Sequence, residues 1–111
     1  GEINVIEVDY YRSYNRVTIK GHALAAIPGH DLVCAGCSAL AYTLAANVGD
    51  MESRGYVRDV VAKLEPGDAE ISCKPRNKYT ASVDRIFAAI CVGFELLAVS
   101  NPKYISYKIH E

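Results

Sequence analysis

Two side chains in the segment 21–38 have the types and spacing that thiol chemistry needs. Cys34 is a potential nucleophile, and His22, a short loop earlier, is a potential base. A thiol attacks only as its thiolate, and an unperturbed cysteine with a pKa of about 8.5 is mostly protonated at neutral pH. A nearby imidazole lowers the thiol pKa by charge pairing and can shuttle the proton. The pair therefore indicates nucleophilic catalysis, for example acyl transfer.

The residues around this pair predict a strand end, a loop and a helix start. Gly21, Pro28 and Gly29 interrupt the regular pattern and predict a mobile loop, which could close over a substrate and exclude water. Asp31 stands at the N-cap position of a helical run, so we expect Cys34 in the first turn. There, unpaired backbone N–H groups and the positive end of the helix dipole favour a thiolate or an oxyanion.

Three other interpretations of these residues stay open at this point. A cysteine in an alanine-rich helix is often a small buried core residue. Cys34 and Cys37 form a C-x-x-C pair, which is typical of thiol-redox proteins, although a histidine and a Gly/Pro loop separate it from the preceding strand. A zinc site could use Cys34, Cys37, His22 and His30, but the chain has no second C-x-x-C and its histidines lack the spacing of paired ligands. We expect neither a metal nor another cofactor.

The rest of the chain predicts the elements that hold this segment. Strands are predicted at residues 2–11, 16–21, 57–64, 69–74 and 103–110, with unbroken alternation in 57–64. Helices are predicted at 32–48, ended by Gly49-Asp50, and at about 79–100, ended by Asn101-Pro102. The first helix is apolar on nearly every side, which indicates a buried or dimer-facing helix. The order ββαββαβ predicts an α+β fold in a single domain over residues 1–111, with two helices packed on a mixed or mostly antiparallel sheet.

Composition and net charge limit which partners and which cellular compartment we expect for this protein. The 111 residues can bury a core without disulfides, and a formal net charge of −1 argues against direct nucleic-acid binding. The longest apolar stretch, 86–99, is interrupted by Glu95 and too short to span a bilayer, so no membrane partner is expected. With no secretory signal recognised, we expect a cytoplasmic protein whose four cysteines are thiols. Cys73, Cys91 and His110 are interpreted as structural.

One string in this segment is specific enough to indicate a family. Gly21-His22-Ala23, followed by Gly29-His30-Asp31-Leu32-Val33-Cys34-Ala35-Gly36-x-Ser38-Ala39, closely resembles the ribosomal-processing cysteine protease family (Prp) of bacteria. The chain length and the element order also fit this family. The resemblance implies that Cys34 is the nucleophile and His22 the base. It places Gly21, Gly29, Asp31 and Ser38 at supporting or substrate-binding positions. Asp31 as a plain N-cap and Ser38 as a helix-packing residue are the structural alternatives.

The resemblance also implies a substrate and an assembly. It implies a homodimeric endopeptidase that removes the N-terminal extension of a large-subunit ribosomal protein, number twenty-seven, during ribosome maturation. Prophages carry members of this family as well, and a phage structural protein is then the alternative substrate. Cys37 stands where the family more often has a small apolar residue, so it is either a neutral replacement or part of an oxidative lock with Cys34.

Three hypotheses make different predictions. A protease loses cleavage in Cys34→Ala but tolerates Cys37→Ala. A thiol-redox protein loses its activity in Cys37→Ala. A non-catalytic ribosome-associated scaffold, with the first helix as its interface, binds its partner regardless of Cys34 alkylation.

Overall fold

The computed structural model describes residues 5–21 and 30–111, with side chains from residue 32 onward in the second of these ranges. The predicted loop, with His22 and Gly29, therefore lies outside the described residues, as do the side chains of His30 and Asp31.

A five-stranded mixed sheet forms the centre of the molecule. The strands are β1 (Ile6–Tyr11), β2 (Arg16–Lys20), β3 (Val57–Glu65), β4 (Asp68–Pro75) and β5 (Ile105–His110). They are arranged in the order β3-β4-β2-β1-β5. Only the β1–β5 pair is parallel among these described strands, and the other three pairs are antiparallel. This arrangement confirms the predicted α+β fold with a mostly antiparallel sheet.

Two long helices cover one face of this sheet. They are α1 (His30–Ser53) and α2 (Thr80–Ser100), and short 3₁₀ turns occupy Arg12–Tyr14 and Asn77–Tyr79. The inward residues of the strands alternate with outward polar ones, as expected for a sheet covered on one side. The core contains alternate residues of β1 and β4 and a stripe of α2, namely Ile6, Val8, Tyr10, Ala69, Ile71, Cys73, Val83, Phe87, Cys91 and Phe94.

The two helices pack closely through glycines. A methyl group on Gly93 would come within 2.6 Å of Leu40 Cδ2, and one on Gly36 within 3.1 Å of the Leu97 methyl groups. The pairing of Gly36 with Leu97 and of Leu40 with Gly93 shows that α1 and α2 run antiparallel. Each leucine occupies the space that the glycine opposite leaves open, so α2 fixes the position of α1 over the sheet.

The C-terminus of α1 differs from its prediction. Gly49-Asp50 was predicted to end the helix, but the helix continues to Ser53 because Met51 extends the buried stripe of Leu44 and Val48. It ends in a Schellman motif, with Gly55 at a φ of +77°. The Tyr56 N–H donates to the Met51 carbonyl at 2.9 Å, and the Gly55 N–H donates to the Glu52 carbonyl at 3.0 Å. Burial of one more turn outweighs the low helix propensity of a single exposed glycine.

Strand β3 also departs from its prediction. The register against β4 shifts between Arg58 and Val61, and Asp59 has a φ of +53°. A bulge of this kind inverts the alternation that follows it. Val57 and Leu64 therefore both lie on the core side, so the prediction of unbroken alternation is wrong.

The α1 helix is only partly covered by the core. Val33, Leu44 and Val48 are buried, whereas Leu32 and Tyr42 are 78% and 59% exposed. The segment Leu32–Ser53 is long enough and apolar enough, at a mean hydropathy of 1.5, to cross a membrane by those two criteria alone. The core helix of a globular domain meets the same criteria. The buried residues and the contact with α2 account for its composition here.

Candidate active site

A groove of about 300 Å³ lies between the N-terminal half of α1 and the β3–β4 turn. Its apolar side comes from inward residues of the sheet, Ile6, Ile19, Leu64 and Ala69. Its helical side consists of Cys34, Cys37, Ser38, Ala41 and Tyr42. Such a groove can hold one or two apolar side chains while leaving a peptide backbone accessible at its mouth.

Cys34 lies in the second turn of α1, one turn later than predicted. The helix begins at His30, so Asp31 lies inside the helix and the prediction of an N-cap at Asp31 is wrong. The backbone N–H of Cys34 is consequently not among the four unpaired N–H groups of the helix start. The Cα–Cβ bond of Cys34, as in any α-helix, nevertheless tilts back toward the first turn.

Burial distinguishes Cys34 from the other three cysteines. Cys34 is half-buried and lines the groove, whereas the remaining three are each at most 6% exposed. Burial raises the pKa of Cys37 to about 12, with a further contribution from the neighbouring Cys34. Burial likewise raises the pKa of Cys73 to about 11 and that of Cys91 to about 12. Cys34 is therefore the thiol that a ligand in the groove can reach.

Gly21 forms the rim of the groove directly before His22. Its N–H donates to the Gly67 carbonyl at 3.0 Å, which ties the end of β2 to the β3–β4 turn. Its φ is +93°, and a Cβ at this position would lie 2.5 Å from the Val5 carbonyl oxygen. Only glycine fits this backbone without strain. The chain thus leaves the sheet toward His22 from a fixed point in the groove wall.

An ion-pair cluster lies beside Gly21, at the β3–β4 turn. The turn has Pro66 followed by Gly67 at a φ of +72°, as in a type II turn. Next to it, the Asp68 carboxylate accepts hydrogen bonds from both Lys20 and Lys63. These two bonds lower the pKa of Asp68 to about 2. The cluster joins β2, β3 and β4 at the point where Gly21 leaves the sheet.

The structure brings together three of the six predicted site residues. Gly21, Cys34 and Ser38 all line the groove, and Ser38 lies one helical turn after Cys34 on the same side of α1. His22 and Gly29 lie outside the described residues, as does the side chain of Asp31. Within the ranges that the structure describes, no three His, Cys, Asp or Glu side chains are grouped so that they could hold a metal.

Sequence reasoning missed the sheet side of the groove. Pro66-Gly67-Asp68 has the composition of a turn between the predicted strands 57–64 and 69–74, but nothing local indicates that it faces Cys34. The signal that could have found it is Leu64, an apolar residue between the charged Lys63 and Glu65 at the end of the strand. It becomes informative only once β4 is known to pair with β2.

Comparisons with solved structures show which proteins have a similar fold. The fold is similar to the crystal structure of SMU.848 from Streptococcus mutans, with a TM-score of 0.67, 21% identity and coverage of 99% of this chain and 96% of that one. It is also similar to the essential ribosomal processing protease Prp from S. aureus in complex with a substrate peptide. That match has a TM-score of 0.67 and 17% identity, and it covers 96% of this chain and 99% of that one.

A further S. aureus Prp structure, with a covalently linked product peptide, gives a TM-score of 0.66 at 18% identity, again over 96% and 99% of the two chains. No match was found among curated proteins. The single accessible thiol on the groove of this α+β domain is the feature that a thiol hydrolase needs for its nucleophile. The model of the family described as cysteine protease Prp matches residues 3–106, so the chain belongs to this family of cysteine proteases.

Proposed function

We propose that this cysteine protease uses Cys34 as its nucleophile and His22 as its base. The observation that carries the proposal is the position of Cys34, the one cysteine of the four that is not buried and that lines the groove. Gly21, which immediately precedes His22, belongs to the same groove wall.

The proposed chemistry is acyl transfer in two steps. The Cys34 thiolate attacks the carbonyl carbon of the scissile peptide, and the tetrahedral intermediate collapses as the amine leaves with a proton from His22. Water then attacks the thioester, His22 accepts its proton, and the acid is released with the thiol restored. The unpaired N–H groups of the first turn of α1 are the candidates for stabilising the oxyanion.

We propose further that the substrate is the N-terminal extension of a large-subunit ribosomal protein, number twenty-seven. Two related structures, of an S. aureus ribosomal processing protease, contain a substrate peptide and a covalently linked product peptide. The apolar floor formed by Ile6, Ile19 and Leu64 supports a substrate with an apolar side chain near the cut. A phage structural protein carrying such a segment remains the alternative substrate to test in parallel.

Cleavage of a fluorogenic peptide containing the extension tests the dyad. Cys34→Ala should lower kcat/KM by at least about 10³-fold, because it removes the nucleophile. His22→Gln should lower it by about 10²–10⁴-fold, the usual contribution of a general base. His110→Gln is the matched control, since His110 contacts Asp9 on the opposite face of the sheet, and should cleave like the wild type. Normal turnover in folded Cys34→Ala would refute the proposal.

We also propose a homodimer that works in the cytoplasm. Val92, Leu96 and Val99 form an exposed apolar stripe on α2, and Leu32 is exposed on the neighbouring helix. Patches of this kind on a small domain favour association. Light scattering after size-exclusion chromatography should give twice the chain mass, and Leu96→Glu should shift the protein toward monomer. No disulfide joins the four cysteines, which fits a reducing compartment, and cell fractionation tests this assignment.

A further inference from the structure

Cys37 lies one helical turn from Cys34 in the same groove, and the proposed mechanism does not use it. We propose that the two thiols form a reversible disulfide under peroxide, which switches the protease off and protects its nucleophile. This inference rests on the proposed function in one respect, namely that Cys34 is the reactive thiol.

The Cα separation on a helix suits this bond, but the Cβ atoms of helical neighbours lie about 5–6 Å apart and must approach to about 3.5–4.5 Å. Residues three apart on an α-helix are neighbours, with Cα atoms separated by about 5 Å from the rise and radius of the helix. Disulfides usually join Cα atoms about 4.4–6.8 Å apart. The helical turn that carries both thiols, in which Gly36 packs against Leu97, must therefore tighten locally when the bond forms. Cys73 and Cys91 lie on β4 and α2 and are buried at 2% and 1% exposure, so a peroxide oxidises them more slowly.

The different burial of the two thiols sets the order of events. The half-buried Cys34 meets the oxidant in the groove, whereas the buried Cys37 is held as a thiol. Cys34 is therefore oxidised first, and Cys37 resolves the product. This arrangement, an accessible thiol beside a resolving one, is typical of redox-sensitive cysteines.

The chemistry balances with hydrogen peroxide as the only oxidant. The Cys34 thiolate attacks one peroxide oxygen, the O–O bond breaks, and sulfenic acid and hydroxide form. The Cys37 sulfur then attacks the Cys34 sulfur, the S–O bond breaks, and the leaving hydroxide takes the Cys37 proton as water. In total, two thiols and one peroxide give one disulfide and two waters. A dithiol reductant reverses the reaction by thiol–disulfide exchange.

The sequence makes the bond easy to map. Residues 21–54 contain no Lys or Arg before Arg54, so trypsin releases Cys34 and Cys37 in a single peptide. Cys73 and Cys91 fall in other tryptic peptides. The purified protein is treated with peroxide, its remaining thiols are alkylated with iodoacetamide, and its tryptic peptides are analysed by mass spectrometry. We expect the peptide 21–54 to lose two hydrogens and carry no alkyl group, while Cys73 and Cys91 stay alkylated.

The matched variant is Cys37→Ala, with Cys37→Ser as the alternative if the first unfolds. Wild-type peptidase activity should fall with peroxide and recover for the most part in dithiothreitol. In the Cys37→Ala variant, Cys34 should be oxidised further to sulfinic acid. Dithiothreitol should then restore only a minor part of the activity that the variant had before peroxide. Alkylation of both cysteines in the oxidised wild type, or equal recovery in wild type and variant, would overturn the proposal.

The mass measurement does not depend on the protein's own peptidase activity. A disulfide in peptide 21–54 of a protein that cleaves no peptide would refute the proposed protease function while supporting the thiol pair. Rapid substrate cleavage by a protein that forms no disulfide in this peptide would support the proposed protease function and refute the thiol pair.

Discussion

At the scale of single residues, Gly21 is constrained by two residues that lie far apart in the sequence. Its N–H binds the Gly67 carbonyl of the β3–β4 turn, and its Cα faces the Val5 carbonyl oxygen before β1. Both constraints act on the residue that leads directly into His22. A change at Gly21 should therefore affect folding and catalysis together.

Gly21→Ala is expected to destabilise the protein by about 1–3 kcal/mol, because an L-residue at this positive φ is strained and its Cβ meets backbone. Urea unfolding measures the loss, and the peptide assay should show reduced turnover below the midpoint. Gly49→Ala is the control, since nothing lies within 4 Å of a Cβ there. A Gly21→Ala protein as stable as the wild type would contradict the strained geometry.

Thiol reactivity is also a property of single residues. Iodoacetamide at neutral pH should modify Cys34 first in the native protein, because burial raises the pKa of Cys37, Cys73 and Cys91. Mass mapping should show one fast site in native protein and four sites after denaturation. Equally fast labelling of Cys73 would be inconsistent with its burial. Cys34→Ser should lack the fast phase.

Single-residue features were partly predictable. Cys34 and Ser38 share one side of α1 because residues four apart on a helix are neighbours, and this follows directly from the sequence. The burial of Cys37 beside Cys34 depends on how α1 lies on the sheet. No local pattern contains that information.

At the scale of elements, α1 shows how burial overrides propensity. The predicted end at Gly49-Asp50 relied on the low helix propensity of glycine, but Met51 packs in the core and extends the helix by one turn. The true end is set by Gly55, whose left-handed conformation closes the Schellman motif. The β3 bulge at Asp59 was also not predictable from local pattern, because the alternation in the sequence continues through it without interruption.

The two glycines near the end of α1 should respond oppositely to the same change. Gly49→Ala should stabilise the protein by up to about 1 kcal/mol, because alanine has the higher helix propensity. Gly55→Ala should destabilise it by about 1 kcal/mol, since its φ of +77° disfavours a side chain. Thermal unfolding of both variants measures the difference. Stabilisation by Gly55→Ala would refute the assigned helix end.

At the scale of the whole molecule, the sheet order brings the site together. Pairing of β2 with β4 places the β3–β4 turn beside the end of β2, opposite the start of α1. The element order was readable from the sequence, but the pairing was not, because strands far apart in the chain meet through the packing of the entire core. The Lys20–Asp68–Lys63 cluster marks this junction of three strands.

This cluster predicts part of the acid sensitivity of the protein. The folded pKa of Asp68 is about 2, below its ordinary 3.8. Its contribution to stability is therefore present above pH 3.8 and disappears as the pH falls toward 2. Asp68→Asn should flatten the decline in unfolding free energy across that interval, measured by urea titration at each pH. Exposed Glu52→Gln serves as the control, and an equal flattening in both would contradict the assignment.

Both described helices and the groove lie on one side of the sheet, and no element among residues 5–21 and 30–111 covers the other, open side. On the open side the register aligns Lys108, Asp9, Thr18, Glu70 and Lys63 in one row across all five strands. His110, which contacts Asp9 and stacks on Tyr11, belongs to this polar surface. A tether, a fluorescent dye or a solid support attached through Lys108 would thus leave the mouth of the groove unobstructed. The enzyme can therefore be immobilised through the face of the sheet opposite the groove.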